Sequence, residues 1–113
     1  MELKLGLQVA TPEVDLEGVD PRLISYAEHL GMVHRLLFGV DLTITSGKEG
    51  KHVANSFHAI GRAIDVRVND KDPSEQLVFM TLLAFSAPPQ GIAVFDERST
   101  HDEKHVHLEL HGA

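Results

Sequence analysis

Two short segments, far apart in the chain, alternate in the same sense. Together they restrict the fold more than anything else in the sequence. Residues 63–68 read A-I-D-V-R-V, and residues 105–110 read H-V-H-L-E-L. Successive side chains of a strand point to opposite sides of a sheet. In the first segment Ile64, Val66 and Val68 share one side, and Ala63, Asp65 and Arg67 the other. In the second, Val106, Leu108 and Leu110 share one side, and His105, His107 and Glu109 the other. Each segment therefore reads as a strand with an apolar face for helices to cover and a polar face of metal-ligating groups. As neighbours in one sheet they would bring Asp65 and His107 into a single cleft.

The residues before the first segment add a third donor. Residues 56–65 fit the pattern S-x-H-x-x-G-x-A-x-D at every fixed position, through Ser56, His58, Gly61, Ala63 and Asp65. Gly61 permits a sharp turn from the loop bearing His58 into the strand. The chain has no cysteine, so nitrogen and oxygen must hold any metal. His58, Asp65 and His107 supply such donors, and three ligands leave one position of a tetrahedral zinc open, as in catalytic sites. Zinc so held makes a nucleophile available near neutral pH and polarises a carbonyl. His105 lies on the same face as His107 and is placed to act as base, proton shuttle or oxyanion donor. A lone His or Asp on a strand is ordinarily solvated or hydrogen-bonded. The agreement of two separated motifs in face and ligand type is what points to a metal.

The rest of the chain completes one α+β domain over residues 1–113, expected to be a monomer. Residues 1–19 alternate loosely and can open with a short strand. Asp20-Pro21 reads as N-cap and first helical position, and residues 22–38 follow at helical spacing up to a stop at Gly39. Leu23, Tyr26, Ala27, Leu30, Val33, Leu36 and Leu37 are its expected apolar stripe. Strands are expected at 40–45, 63–68, 91–95 and 105–110, and a second helix at 72–86. That helix starts at Asp72-Pro73-Ser74-Glu75 and buries Leu77, Met80, Thr81, Ala84 and Phe85. Asp70, Asp72 and Glu75 resemble a calcium cluster, but the helix start accounts for them. His29 and His34 are five residues apart and do not stack on one helical face. His101 and His111 read as surface residues. The expected architecture is a small antiparallel sheet with helices on one face and the zinc cleft on the other.

The formal charge of −7 argues against nucleic acid, anionic membranes and polyanionic wall polymers as tight partners. The first residues show no basic segment followed by a long apolar core, so neither a secretory signal nor a membrane span is expected. An extracellular substrate would then need delivery by another route.

These motifs resemble those of the M15-type zinc peptidases, which cleave D-Ala-D-Ala or L-Ala-D-Glu bonds and share a wider fold with the hedgehog signalling domain. The resemblance covers residues 52–110. It implies zinc on His58, Asp65 and His107, His105 as the catalytic histidine, and hydrolysis of peptidoglycan peptides, often by phage lysins. His52 stands where hedgehog-type members carry a histidine six positions before the first ligand. The resemblance also leaves two other roles open: a zinc-bearing interaction domain without activity, and a peptidase domain built into a phage particle.

The sequence departs from that group in two places. Ser46-Gly47 is followed by Lys48-Glu49, where many such peptidases have an aromatic residue and a carboxylate-binding arginine. Lys104 stands where other members carry a carboxylate base, and Asp102 and Glu103 are out of register. The base role therefore falls to His105. Lys48, Lys51, Arg62 and His52 remain as substrate contacts for a stem peptide or cross-bridge. With Glu49 repelling a terminal carboxylate, cleavage of an internal bond is expected.

Overall fold

The computed structural model describes residues 3–49, 56–85, 91–97 and 105–111. The chain runs β1 (Leu7–Val9), α1 (Pro21–Phe38), β2 (Leu42–Ser46), β3 (Ala63–Arg67), α2 (Pro73–Phe85), β4 (Ile92–Asp96) and β5 (His105–Leu110). The strands form one sheet in the order β1-β2-β3-β5-β4.

The sheet is mixed, which corrects the expectation of a wholly antiparallel one. β1 pairs in parallel with β2, whereas the β2–β3, β3–β5 and β5–β4 ladders are antiparallel. The reason is topological: the chain leaves β1, passes through α1 and returns in its original direction, and such a crossover makes a parallel pair.

Local signals set the helix ends. Asp20 caps α1, its carboxylate accepting from the amide of Arg22 at 2.9 Å, with Pro21 at the first helical position. Gly39 ends it in the left-handed conformation, φ 76°. Before α2, Asp72 accepts from the Glu75 amide at 2.9 Å and Glu75 accepts from the Asp72 amide at 3.0 Å. This reciprocal capping box gives the acidic cluster a structural role.

Both helices cover one face of the sheet. Leu23, Ala27 and Leu30 of α1 and Phe79 and Leu83 of α2 join Leu42, Ile44, Ile64, Val66, Val106 and Leu108 in one buried cluster. Burying each large side chain stabilises the fold by about 1.5–3 kcal/mol. The expected stripe of α2 is corrected: Leu77 is 68% exposed, Thr81 and Ala84 are exposed, and Phe79 and Leu83 face the core. Apolar residues surround this helix, so its sequence gives little contrast between faces. In α1 the stripe holds from Leu23 to Leu30, but Leu36 and Leu37 are exposed. The buried stripe continues instead through His34 and Phe38, and Leu36 and Leu37 fall outside it. His34 is fully buried, its Nδ1 2.8 Å from the Val40 carbonyl oxygen and its ring against Phe38 and Phe79. It belongs to the core. Among the described residues no helix is long and apolar enough to cross a membrane.

The alternation of β3 and β5 holds as read. Ile64 pairs with Leu108 and Val66 with Val106 on the helix side. Asp65 pairs with His107, Arg67 with His105 and Ala63 with Glu109 on the other.

Candidate metal centre

Each fixed position of the 56–65 pattern has a visible local task. The Ser56 hydroxyl accepts from the Ala59 amide at 3.1 Å and the Ser56 carbonyl from the Ile60 amide, which closes one turn around His58. Gly61 leaves that turn at φ 77°, and a Cβ there would run into the Gly18 carbonyl oxygen. Ala63, fully buried, starts β3, and Asp65 follows on the same face.

The loop, β3 and β5 thus bring three donors together. His58 Nε2 lies 3.4 Å from Asp65 Oδ1, and His107 Nδ1 lies 2.9 Å from the same oxygen. These donor atoms all fall within 4.8 Å of one another. Adjacent donors in a tetrahedral shell with bonds of ~2.0–2.1 Å sit about 3.3 Å apart, and the 3.4 and 2.9 Å separations to Asp65 lie close to that spacing. Outer partners orient both rings. His58 Nδ1 donates to the Gly47 carbonyl oxygen at 2.9 Å, leaving Nε2 as the ligand atom. His107 Nε2 lies 3.0 Å from Glu109 Oε1, which leaves Nδ1 for the metal. Glu109 Oε2 in turn pairs with His111 Nε2 at 2.6 Å.

The electrostatics fit a cation. Burial opposes ionisation of Asp65, but hydrogen bonds from His107 and His58 hold its carboxyl well below the usual range. Burial likewise opposes charge on His107, yet hydrogen bonds to Asp65 and Glu109 push it up to about 9. His58 is raised too, its desolvation outweighed by Asp65. Two imidazoles and one carboxylate in this state make a site built for positive charge, whether carried by protons or by a metal. The residues therefore fit an open N/O-ligated centre.

His105 stands beside these three. Its Nε2 lies 3.6 Å from Asp65 Oδ2 and 2.8 Å from Glu97 Oε1. Glu97, at the end of β4, was not singled out in the sequence, where it merges into a charged loop spanning 96–104. Its partner across the sheet gives it its role, and no local pattern marks it.

The other expected contacts are less concentrated. The Lys48 amide donates to the Asp15 carbonyl oxygen and its side chain lies along Gly18. The backbone of Arg62 ties Phe57 to Leu110, and its guanidinium helps hold Asp20 ionised. His52, Lys51, His101, Asp102, Glu103 and Lys104 lie outside the described residues. Glu49 turns into its own loop, where Oε1 accepts from the Gly47 amide at 2.8 Å and the Asp15 amide at 2.9 Å. Burial opposes its charge, but these hydrogen bonds outweigh it and hold the carboxylate below its usual range, so Glu49 keeps a negative charge beside Gly47. Arg67 faces the same side as Asp65, opposite His105, and lines a cavity of about 360 Å³ with Ala10, Thr11, Thr45 and Asn69. Its place on the polar face was already readable from the alternation.

A scan against protein-family models and a search of curated proteins each found no match.

Proposed function

We infer that this chain is a zinc peptidase that hydrolyses amide bonds in the peptides of bacterial peptidoglycan. The observation that carries the reading is the pairing of two arrangements on one sheet face. One is a three-donor group, His58, Asp65 and His107, and the other is the adjacent His105–Glu97 pair at 2.8 Å. Zinc bound by the first supplies Lewis acidity and a nucleophile at neutral pH. Glu97 lies 2.8 Å from His105 Nε2 and fixes the orientation of its ring, and the pair would together hold the proton removed from water and return it to the leaving amine. Gly47 and Glu109 keep the ligand rings in place while this happens. A histidine held by a carboxylate beside the metal group has an immediate use in proton transfer, and this supports the enzyme over the interaction-domain reading.

The peptidoglycan substrate rests on the resemblance of the S-x-H-x-x-G-x-A-x-D and H-x-H motifs. Arg67 supports a bond with a carboxylate next to the scissile nitrogen. The L-Ala–D-Glu link carries one there, on the D-Glu α-carbon, so internal cleavage of the stem peptide fits. The test is incubation of zinc-loaded protein with purified peptidoglycan, followed by mass spectrometry of the soluble products. Released stem peptides or opened cross-links are expected. An unchanged polymer with fully zinc-loaded protein overturns the enzymatic reading.

A further inference from the structure

Asp65 uses its two carboxylate oxygens in two directions. Oδ1 faces His58 and His107, whereas Oδ2 faces His105 Nε2 at 3.6 Å. His105 Nε2 is 2.8 Å from Glu97 Oε1. Asp65, Glu97 and His105 thus form a second three-donor group, its ligand atoms also within 4.8 Å of one another. The separations of 2.8 and 3.6 Å bracket the ~3.3 Å expected between neighbouring donors around zinc. Asp65 and His105 are each only 8% exposed, and such buried donors hold their positions.

We propose that this chain takes up a second divalent cation on Glu97, His105 and Asp65 Oδ2, bridged through Asp65 to the first. One imidazole and two carboxylates suit zinc, and also the harder manganese. The proposal rests on the metal-centre reading through the shared Asp65, and it does not depend on hydrolysis. The second cation binds more weakly, because it lies beside another dication and has only a shared carboxylate from Asp65. Occupancy also ties up the pair assigned to proton transfer. If the chain acts as the peptidase inferred above, filling the second site would lower its activity.

The experiment titrates zinc into the metal-free chain by calorimetry, with elemental analysis at saturation, for wild type, Glu97→Gln and His58→Ala. Wild type should take up two zinc ions in two steps, the second weaker by about 10- to 1000-fold. Glu97→Gln should keep the tight step, which also shows that it is folded, and lose the weak one. His58→Ala should lose the tight step. Loading wild type with two equivalents of manganese should give a spin-coupled paramagnetic resonance spectrum, since a bridging carboxylate couples the two ions. Saturation of wild type at one zinc overturns the second site and leaves the first intact. A second zinc that persists in Glu97→Gln, or an uncoupled manganese spectrum, shows adventitious binding elsewhere and overturns it too. No uptake at all removes the metal-centre reading along with it.

Discussion

Glu109 and His107 are two residues apart on the same face of β5, and the Glu109 carboxylate lies 3.0 Å from His107 Nε2. A strand permits this because alternate side chains lean toward one another on one face. Glu109 thus fixes which nitrogen of His107 turns toward Asp65. Glu109→Gln should weaken zinc binding by about 10–100-fold, as loss of an outer-shell carboxylate does. Competition with a chromophoric chelator measures it, and wild-type affinity in the variant would remove Glu109 from the centre.

Metal uptake should release protons. At pH 7 His107, pushed up to about 9, is charged, and His58 is shifted in the same direction. Both must be neutral to ligate, so roughly one to two protons leave per zinc bound and affinity falls as pH falls. Calorimetry in buffers of different ionisation enthalpy counts them. The metal-free protein has the opposite preference. His107 is raised above its unfolded value near 6.5, so its contribution to stability is complete below about 6.5 and is lost as pH rises through about 9. Thermal melts of metal-free protein should therefore show a lower Tm at pH 9.5 than at pH 6.5, with other titrating groups held in common by comparison with His107→Gln.

The roles of His105 and the three ligands separate by metal content. His105→Ala should retain the tight zinc and lose about 10²–10⁴-fold in turnover. Alanine at His58, Asp65 or His107 should cost the metal itself, and with it the stabilisation a bound cation gives the native state. Elemental analysis of the four variants decides the matter. Loss of the tight zinc in His105→Ala would exchange its role with that of a ligand.

Arg67 should act on substrate and not on metal. Arg67→Gln is expected to reduce kcat/KM on stem peptides by about 10–100-fold, the size of a lost charge-assisted hydrogen bond, mostly through KM. Zinc content should not change. A substrate whose α-carboxylate beside the scissile nitrogen is amidated should show the same loss with wild-type protein and little further loss with the variant. Equal rates of wild type and variant on the free carboxylate would exclude this contact.

Gly61 should tolerate no side chain. Its φ is 77°, and an added Cβ meets the Gly18 carbonyl oxygen. The left-handed conformation alone costs about 1–2 kcal/mol for other residues. With the backbone contact added, Gly61→Ala should lower stability by about 2–3 kcal/mol or more, read as a drop in the denaturation midpoint. An unchanged midpoint would mean that the turn carrying His58 relaxes freely.

Much of this arrangement is legible in the sequence. Asp65 and His107 followed from strand alternation, His58 from its spacing to Gly61 and Asp65, and the helix starts from Asp20-Pro21 and Asp72-Pro73. Those signals are local, set by a few adjacent residues. Glu97 was invisible because its task depends on β4 and β5 being neighbours, a relation between distant residues. The direction of β1 was hidden for the same reason. The core face of α2 was misjudged because leucines and other apolar residues ring it, and only the packing partner selects Phe79 and Leu83. Gly31 is a poor helix former, yet a Cβ there would strike the Gly6 carbonyl oxygen at 2.5 Å, so its smallness lets the helix lie against the turn before β1.

The order β1-β2-β3-β5-β4 bears on how quickly a bound cation is exchanged. Asp65 and His107 sit on β3 and β5, each flanked by a strand on both sides, so fraying of β1 or β4 leaves them opposed. His58 alone comes from outside the sheet, on a single turn. Local opening favours such short, loop-borne segments over paired central strands. Release of an ion held here would therefore begin with His58 swinging away from Asp65, and its lifetime would be set by that turn and its contacts to Gly18 and Gly47, with Asp65 and His107 left as a docking platform for its return.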